Sequence, residues 1–252
     1  TQGYSSAASD VYKRQVYTLL NVDRGVPEVW GSQYDVRELL RAAYYAIDKK
    51  SIDEAELNYA EKKAIDFVIN NSGNRKNIEI DYFGGEPLMN FGVVKEIVEY
   101  GRQLEKEHDK LFRFTMTTNG VLLNDEVQEF VNKECGNVVL SVDGRKEVHD
   151  MMRPFRNGQG SYDLIMPKFK KIADSRNQMN YYVRGTFTHN NLDFSKDVLS
   201  LADLGYKQIS VEPVVADESE DYALREEDLP KIYEEYDLSL IHISEPTRQE
   251  AI

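Results

Sequence analysis

The chain has 252 residues, 41% hydrophobic and 30% charged, with a formal net charge of −13. That balance excludes a disordered polar chain, and an acidic surface repels phosphate backbones, so no nucleic-acid partner is expected. No apolar run approaches the roughly 20 residues that span a bilayer. Thr1 to Ser9 also lack the basic start and apolar stretch of a signal peptide, so a cytoplasmic protein with no membrane partner is expected.

In chain order, residues 1–15 show neither a helix nor a strand period and resemble peptides encoded by sequencing-adapter DNA. The segment 238–252 reads the same way, so both are expected to be artefact-like tails. Residues 16–53, with Trp30 and a helical stretch over Asp35–Lys49, form an uncertain N-terminal segment outside the repeat that follows. From Glu54 to Asp237 the pattern alternates. Apolar spacing predicts a helix over Ala55–Asn71, a strand over Asn77–Phe83, a helix over Phe91–Glu107 and a strand over Leu111–Thr117. Asn124 is placed to cap a helix over Asp125–Glu134. Next come a strand over Asn137–Val142, a helix from Ser161 or Asp163 to about Asp174, and a strand over Tyr181–Thr188. A helix over Asp193–Leu204, a strand over Gln208–Val215 and a last helix over Glu226–Asp237 complete the run. The one cysteine, Cys135, excludes an internal disulfide; it falls between a helix and a strand and reads as a half-buried thiol.

Strands alternating with helices imply an α/β fold with parallel strands, either a doubly wound sheet or a partial β/α barrel. Both folds build ligand sites from the loops after the strand C-termini. The unusual residues fall there. Phe83-Gly84-Gly85-Glu86-Pro87-Leu88 follows the first strand, and paired glycines let a backbone approach a ligand. Later strand ends carry Thr117-Thr118-Asn119-Gly120, Ser141-Val142-Asp143-Gly144, Val183-Arg184-Gly185-Thr186 and Glu212-Pro213. Ser141 and Asp143 suit a ribose, and Arg184 suits a carboxylate. Each also has a plain structural use: Asn119-Gly120 and Asp143-Gly144 are good turns, and Arg184 pairs readily with an acid such as Glu212.

These ends, together with His149-Asp150-Met151-Met152-Arg153-Pro154 through Gly158-Gln159-Gly160-Ser161-Tyr162, resemble the radical S-adenosylmethionine (SAM) enzymes of the SPASM group. The resemblance covers about residues 58–237. It is greatest to maturases that install thioether cross-links in six-cysteine (SCIFF) ribosomal peptides, with anaerobic sulfatase maturases as neighbours. It implies a partial (β/α)6 radical-SAM barrel, and a SAM site in which Gly84, Gly85, Glu86 and Pro87 take the methionine amino group. Asn119 then belongs to the same cofactor-binding set, Ser141 and Asp143 lie near the ribose, and Arg184 faces the carboxylate. It also implies a [4Fe–4S] cluster that reduces SAM to a 5′-deoxyadenosyl radical, a cysteine-rich precursor peptide as substrate, and a ferredoxin- or flavodoxin-like reductant.

The chain departs from that family at the cluster. The CxxxCxxC motif belongs before the first helix, yet no cysteine precedes Leu57. The barrel is therefore expected to be incomplete, its first strand and cluster loop lost either in assembly or in evolution, and the chain inactive as written. Two other readings stand beside this one: a non-catalytic SAM- or peptide-binding β/α domain, and an acid–base enzyme using Glu86, Asp143 and Glu212.

Overall fold

The computed structural model describes residues 54–244, with side chains described for residues 62–239. The expected helix over residues 35–49 and the N-terminal tail lie outside the described residues. The elements are α1 (Glu54–Asn71), β1 (Asn77–Tyr82), α2 (Phe91–His108), β2 (Leu111–Thr118), α3 (Asp125–Glu134) and β3 (Cys135–Ser141). They continue with α4 (Lys146–Met152), α5 (Tyr162–Ser175), β4 (Tyr181–Phe187), α6 (Ser195–Asp203), β5 (Ile209–Pro213) and α7 (Leu229–Ser244). Strand order in the sheet is β1-β2-β3-β4-β5. The described part of the chain forms two compact units. One takes residues up to Thr118 plus Glu129–Val138; the other takes Asn119–Gln128 and Val139 onward.

In the first unit β1 and β2 run parallel, with Ile78 opposite Phe112, Ile80 opposite Phe114 and Tyr82 opposite Met116. Those six side chains are buried, while their neighbours in sequence alternate outward. A period of two puts one whole face into the core. Helix α2 covers that face with Val93, Val94, Ile97 and Val98, each at most 4% exposed. Gly101 lets it approach closely, since a Cβ there would lie 2.9 Å from the Phe114 ring. Arg102 binds the helix to both neighbours: it donates to the Phe112 carbonyl at 2.8 Å and the Glu134 carbonyl at 2.9 Å, and stacks 4.9 Å over Phe114.

In the second unit β4 and β5 run parallel, with Val183 opposite Ile209 and Phe187 opposite Pro213. Phe187, Phe194 and Ile232 form a core beneath them, with the Phe187 and Phe194 rings stacked at 4.1 Å. Glu235 of α7 accepts the Ser195 amide at 3.0 Å, which satisfies a free N–H in the first turn of α6. Helix α7 continues to Ser244, although no helical period was expected beyond Asp237. Its buried positions 232, 235 and 239 include Glu235 and Ser239, which interrupt the apolar stripe that periodicity relies on. Helix α4 was also not expected, because seven residues are too few to show a period. Cys135 is the first residue of β3 and is 4% exposed, hence buried rather than half-buried.

Gly120 occupies the left-handed region at φ +81, and a Cβ there would lie 2.3 Å from the Phe169 ring. Gly120→Ala therefore meets both strain and overlap. We expect a loss of about 2–4 kcal/mol in urea unfolding, and a loss below 0.5 kcal/mol would contradict this packing.

Candidate functional site

In the first unit the turn after β1 is built as the sequence suggested. Gly84 and Gly85 take φ +110 and +45, conformations that a side chain would disfavour. Glu86 then caps a short 3-10 helix, Pro87–Asn90, with Pro87 at its start. The Glu86 carboxylate accepts the Leu88 amide at 3.1 Å and the Thr118 hydroxyl at 2.8 Å. Thr118 is 1% exposed at the end of β2. The side chain of Glu86 thus braces the turn, and the turn presents its backbone. Exposed Phe83 and Met89 flank it.

In the second unit Asn119 accepts the Val121 amide at 3.0 Å, an Asx turn that starts the loop after β2. Ser141 ends β3 half-buried. Asp143, two residues on, is 3% exposed. Its carboxylate takes a bidentate pair from Arg153, at 2.6 and 3.0 Å, and the Thr186 amide at 3.0 Å. Gly144 has φ +119, and a Cβ would overlap Asp197 at 2.2 Å. Asp197 is itself fully buried and accepts both the backbone N–H and the Nε–H of Arg145. Burial pushes the Asp197 carboxyl up, against the lowering effect of Arg145.

Arg184 pairs with Glu212, and both side chains are partly exposed, at 38% and 47%. Gly185 lies so close to β3 that a Cβ would sit 2.8 Å from the Val142 carbonyl. His149 is 1% exposed. The Asp143 N–H points to its Nδ1 at 3.3 Å, so the ring proton sits on Nε2, 3.0 Å from Ser161 Oγ. Burial holds the His149 pKa below its ordinary 6.5. His189, just after β4, places Nδ1 at 2.9 and 3.0 Å from the buried Asp228 carboxylate. Within the His149–Tyr162 motif, His149 and Ser161 are buried and hydrogen-bonded to one another, and Arg153 pairs with Asp143.

A family model described as a 4Fe-4S single cluster domain matches residues 45–166. Protein MJ0907 of Methanocaldococcus jannaschii is 29% identical over 68% of this chain and 57% of its own length. The radical SAM cyclopropyl synthase TigE of Paramaledivibacter caminithermalis is 27% identical over 64% of this chain and 33% of its own. A cysteine-type anaerobic sulfatase-maturating enzyme of Clostridium novyi is 29% identical over 38% of this chain and 25% of its own. Among solved structures, native anSMEcpe with bound AdoMet and Kp18Cys peptide matches with TM-score 0.65 at 17% identity, over 75% of this chain and 53% of that one. The likeness shows that the chain shares the α/β fold of that structure. The chain spans little more than half the length of the curated relatives it matches, or less.

The matched family model describes a 4Fe-4S cluster, and the matched structure holds AdoMet. Cluster irons need several thiolates. The sequence holds one cysteine, and Cys135 is buried in β3. Among the described residues no three His, Cys, Asp or Glu side chains converge as metal ligands. The residues present do not fit the cluster. Among the described residues, no helix is long and apolar enough to cross a membrane.

Two outcomes follow from this chemistry. Anaerobic reconstitution with iron and sulfide is expected to leave the chain without stoichiometric iron; a four-iron cluster measured by iron content and visible absorbance would contradict the ligand count. Because folding lowers the His149 pKa, the unfolded chain binds a proton that the folded one does not. Stability carried by neutral His149 is therefore present above pH 6.5 and lost as pH falls below it. The urea midpoint is expected to drop from pH 7.5 to 5.5, and the drop to shrink in His149→Gln. Identical pH profiles for the two proteins would rule this out.

Proposed function

We propose that this chain is the SAM-binding piece of a radical SAM peptide maturase, and that as it stands it binds without cleaving SAM. The observation that carries this reading is the Gly84–Pro87 turn. It follows a strand C-terminus and holds two glycines at positive φ, and its one carboxylate is turned inward to Leu88 and Thr118. A ligand meeting that turn meets peptide groups, which suits the amino group of the SAM methionine. In the second unit Ser141 is the hydroxyl for the ribose and Arg184 the cation for the carboxylate, its direction set by Glu212. Asp143 is reserved for holding the loop rather than for touching the ribose, since burial and three hydrogen bonds occupy it. Asn119 shapes the loop between β2 and α3.

The intact protein is proposed to act on a cysteine-rich ribosomal precursor peptide, forming a thioether cross-link with electrons from a ferredoxin or flavodoxin. The bound peptide in the matched anSMEcpe structure supports a peptide substrate. For the chain itself, the missing thiolates favour the binding-module reading over catalysis. The acid–base alternative is weakened by Asp143, whose carboxylate is tied to Arg153 and shielded from water.

Nuclear magnetic resonance titration with SAM tests the proposal. Weak binding is expected, because metal chelation that would anchor SAM is missing. Amide shifts are expected at Gly84, Gly85, Glu86, Ser141 and Arg184. Shifts confined to other residues, or none at millimolar SAM, would overturn it.

A further inference from the structure

Four residues of the segment after β3 close on themselves. The Asp143 N–H donates to His149 Nδ1 at 3.3 Å, and His149 Nε2 lies 3.0 Å from Ser161 Oγ. Ser161 Oγ donates to the Arg153 carbonyl at 2.7 Å, and Arg153 returns to the Asp143 carboxylate at 2.6 and 3.0 Å. Each member both donates and accepts within the ring, Arg153 donating twice to the Asp143 carboxylate, so the whole set has a single consistent arrangement of protons. Asp143, His149 and Ser161 are each no more than 5% exposed. The ring has one outward hydrogen bond to a strand: Asp143 Oδ1 accepts the Thr186 amide of β4 at 3.0 Å. Two residues earlier, the Arg184 carbonyl accepts the Val142 amide at 3.0 Å, and between them Gly185 allows the contact to be this close.

We infer that the His149–Tyr162 segment is a positioning device: the closed ring Asp143–His149–Ser161–Arg153 fixes the end of β3 against Arg184–Thr186 of β4 and so aims Ser141 and Arg184. None of the four ring members is needed as a ligand contact. A carboxylate shielded from water is held in one orientation by a guanidinium fork, and that orientation dictates where the Thr186 amide lies. His149 serves only while neutral, because protonated Nδ1 cannot accept the Asp143 N–H. The groups facing it are Asp143, Asp150, Arg153, Ser161 and Tyr162, whose ring packs edge-on at 5.9 Å. The ligand consequence rests on the SAM reading above; the backbone consequence does not.

The test compares the wild type with Arg153→Lys, which loses the fork, and Ser161→Ala, which opens the ring with little change in volume. Amide hydrogen exchange is measured at Asp143, Thr186 and the core amides, and SAM affinity by titration. Exchange at Thr186 is expected to rise about tenfold or more and SAM affinity to fall about tenfold, with circular dichroism and core exchange unchanged. If Arg153→Lys does not fold, Ser161→Ala alone decides. Unchanged exchange at Thr186 in a folded variant overturns the inference. So does wild-type SAM affinity in a variant whose Thr186 exchanges fast. Should the wild type itself bind no SAM, the cofactor reading fails, and the ring stands or falls on the Thr186 amide.

Discussion

Asp143 carries its carboxylate into a site that is 3% exposed, and a charge so placed is tolerated only when paired and hydrogen-bonded. The second unit is organised around meeting that requirement. Arg153 supplies the charge, Thr186 supplies a backbone N–H, and helix α4, which ends at Met152, carries the chain from Asp143 to Arg153. Gly144 follows from the same demand. The chain must leave Asp143 at φ +119 over the Asp197 side chain, and no residue with a Cβ fits there. One buried charge therefore specifies a turn, a helix and a strand contact together.

The first unit meets its own constraint with smaller groups. A glycine turn at positive φ lies outside regular helix and strand pairing, and here a side chain braces it. Glu86 folds back onto Leu88 and the buried Thr118 hydroxyl, so the turn is rigid beneath. Arg102 does comparable work at the other end of the strands, where one guanidinium reaches two carbonyls and a ring face. Rigidity in both places comes from side chains that bond to backbone, which is why the polar residues at the strand ends are so often already engaged.

Much of this was legible in the sequence, for identifiable reasons. Strands β1 and β2 show a strict period of two, and α2 has a full apolar stripe, so their bounds follow within a residue or two. The cap at Asn124 was readable because Val127 lies three residues on and accepts the role of donor at 2.9 Å. Helix α7 was under-read because the residues from Leu238 onward read as a tail without a period, whereas the helix runs on to Ser244 with Ser239 buried. Asp143 shows the limit at the site. Its position at a strand end is readable, but its pairing with Arg153, ten residues away, is not. Long-range pairing of that kind leaves no local period to read.

The contrast between the two kinds of residue in this chain separates positioning from electron transfer. Carboxylates, a guanidinium, an imidazole and glycines all serve to hold backbone in fixed places, and they do so without any metal. Thiolates, which electron transfer through iron requires, are represented by one cysteine whose sulfur faces the core. The hydrogen bonds around Glu86 in the first unit and around Asp143 in the second are made between protein groups alone. The hydrogen-bonded positioning of backbone and the supply of thiolates are thus separate demands, and the residues of this sequence meet the first without the second.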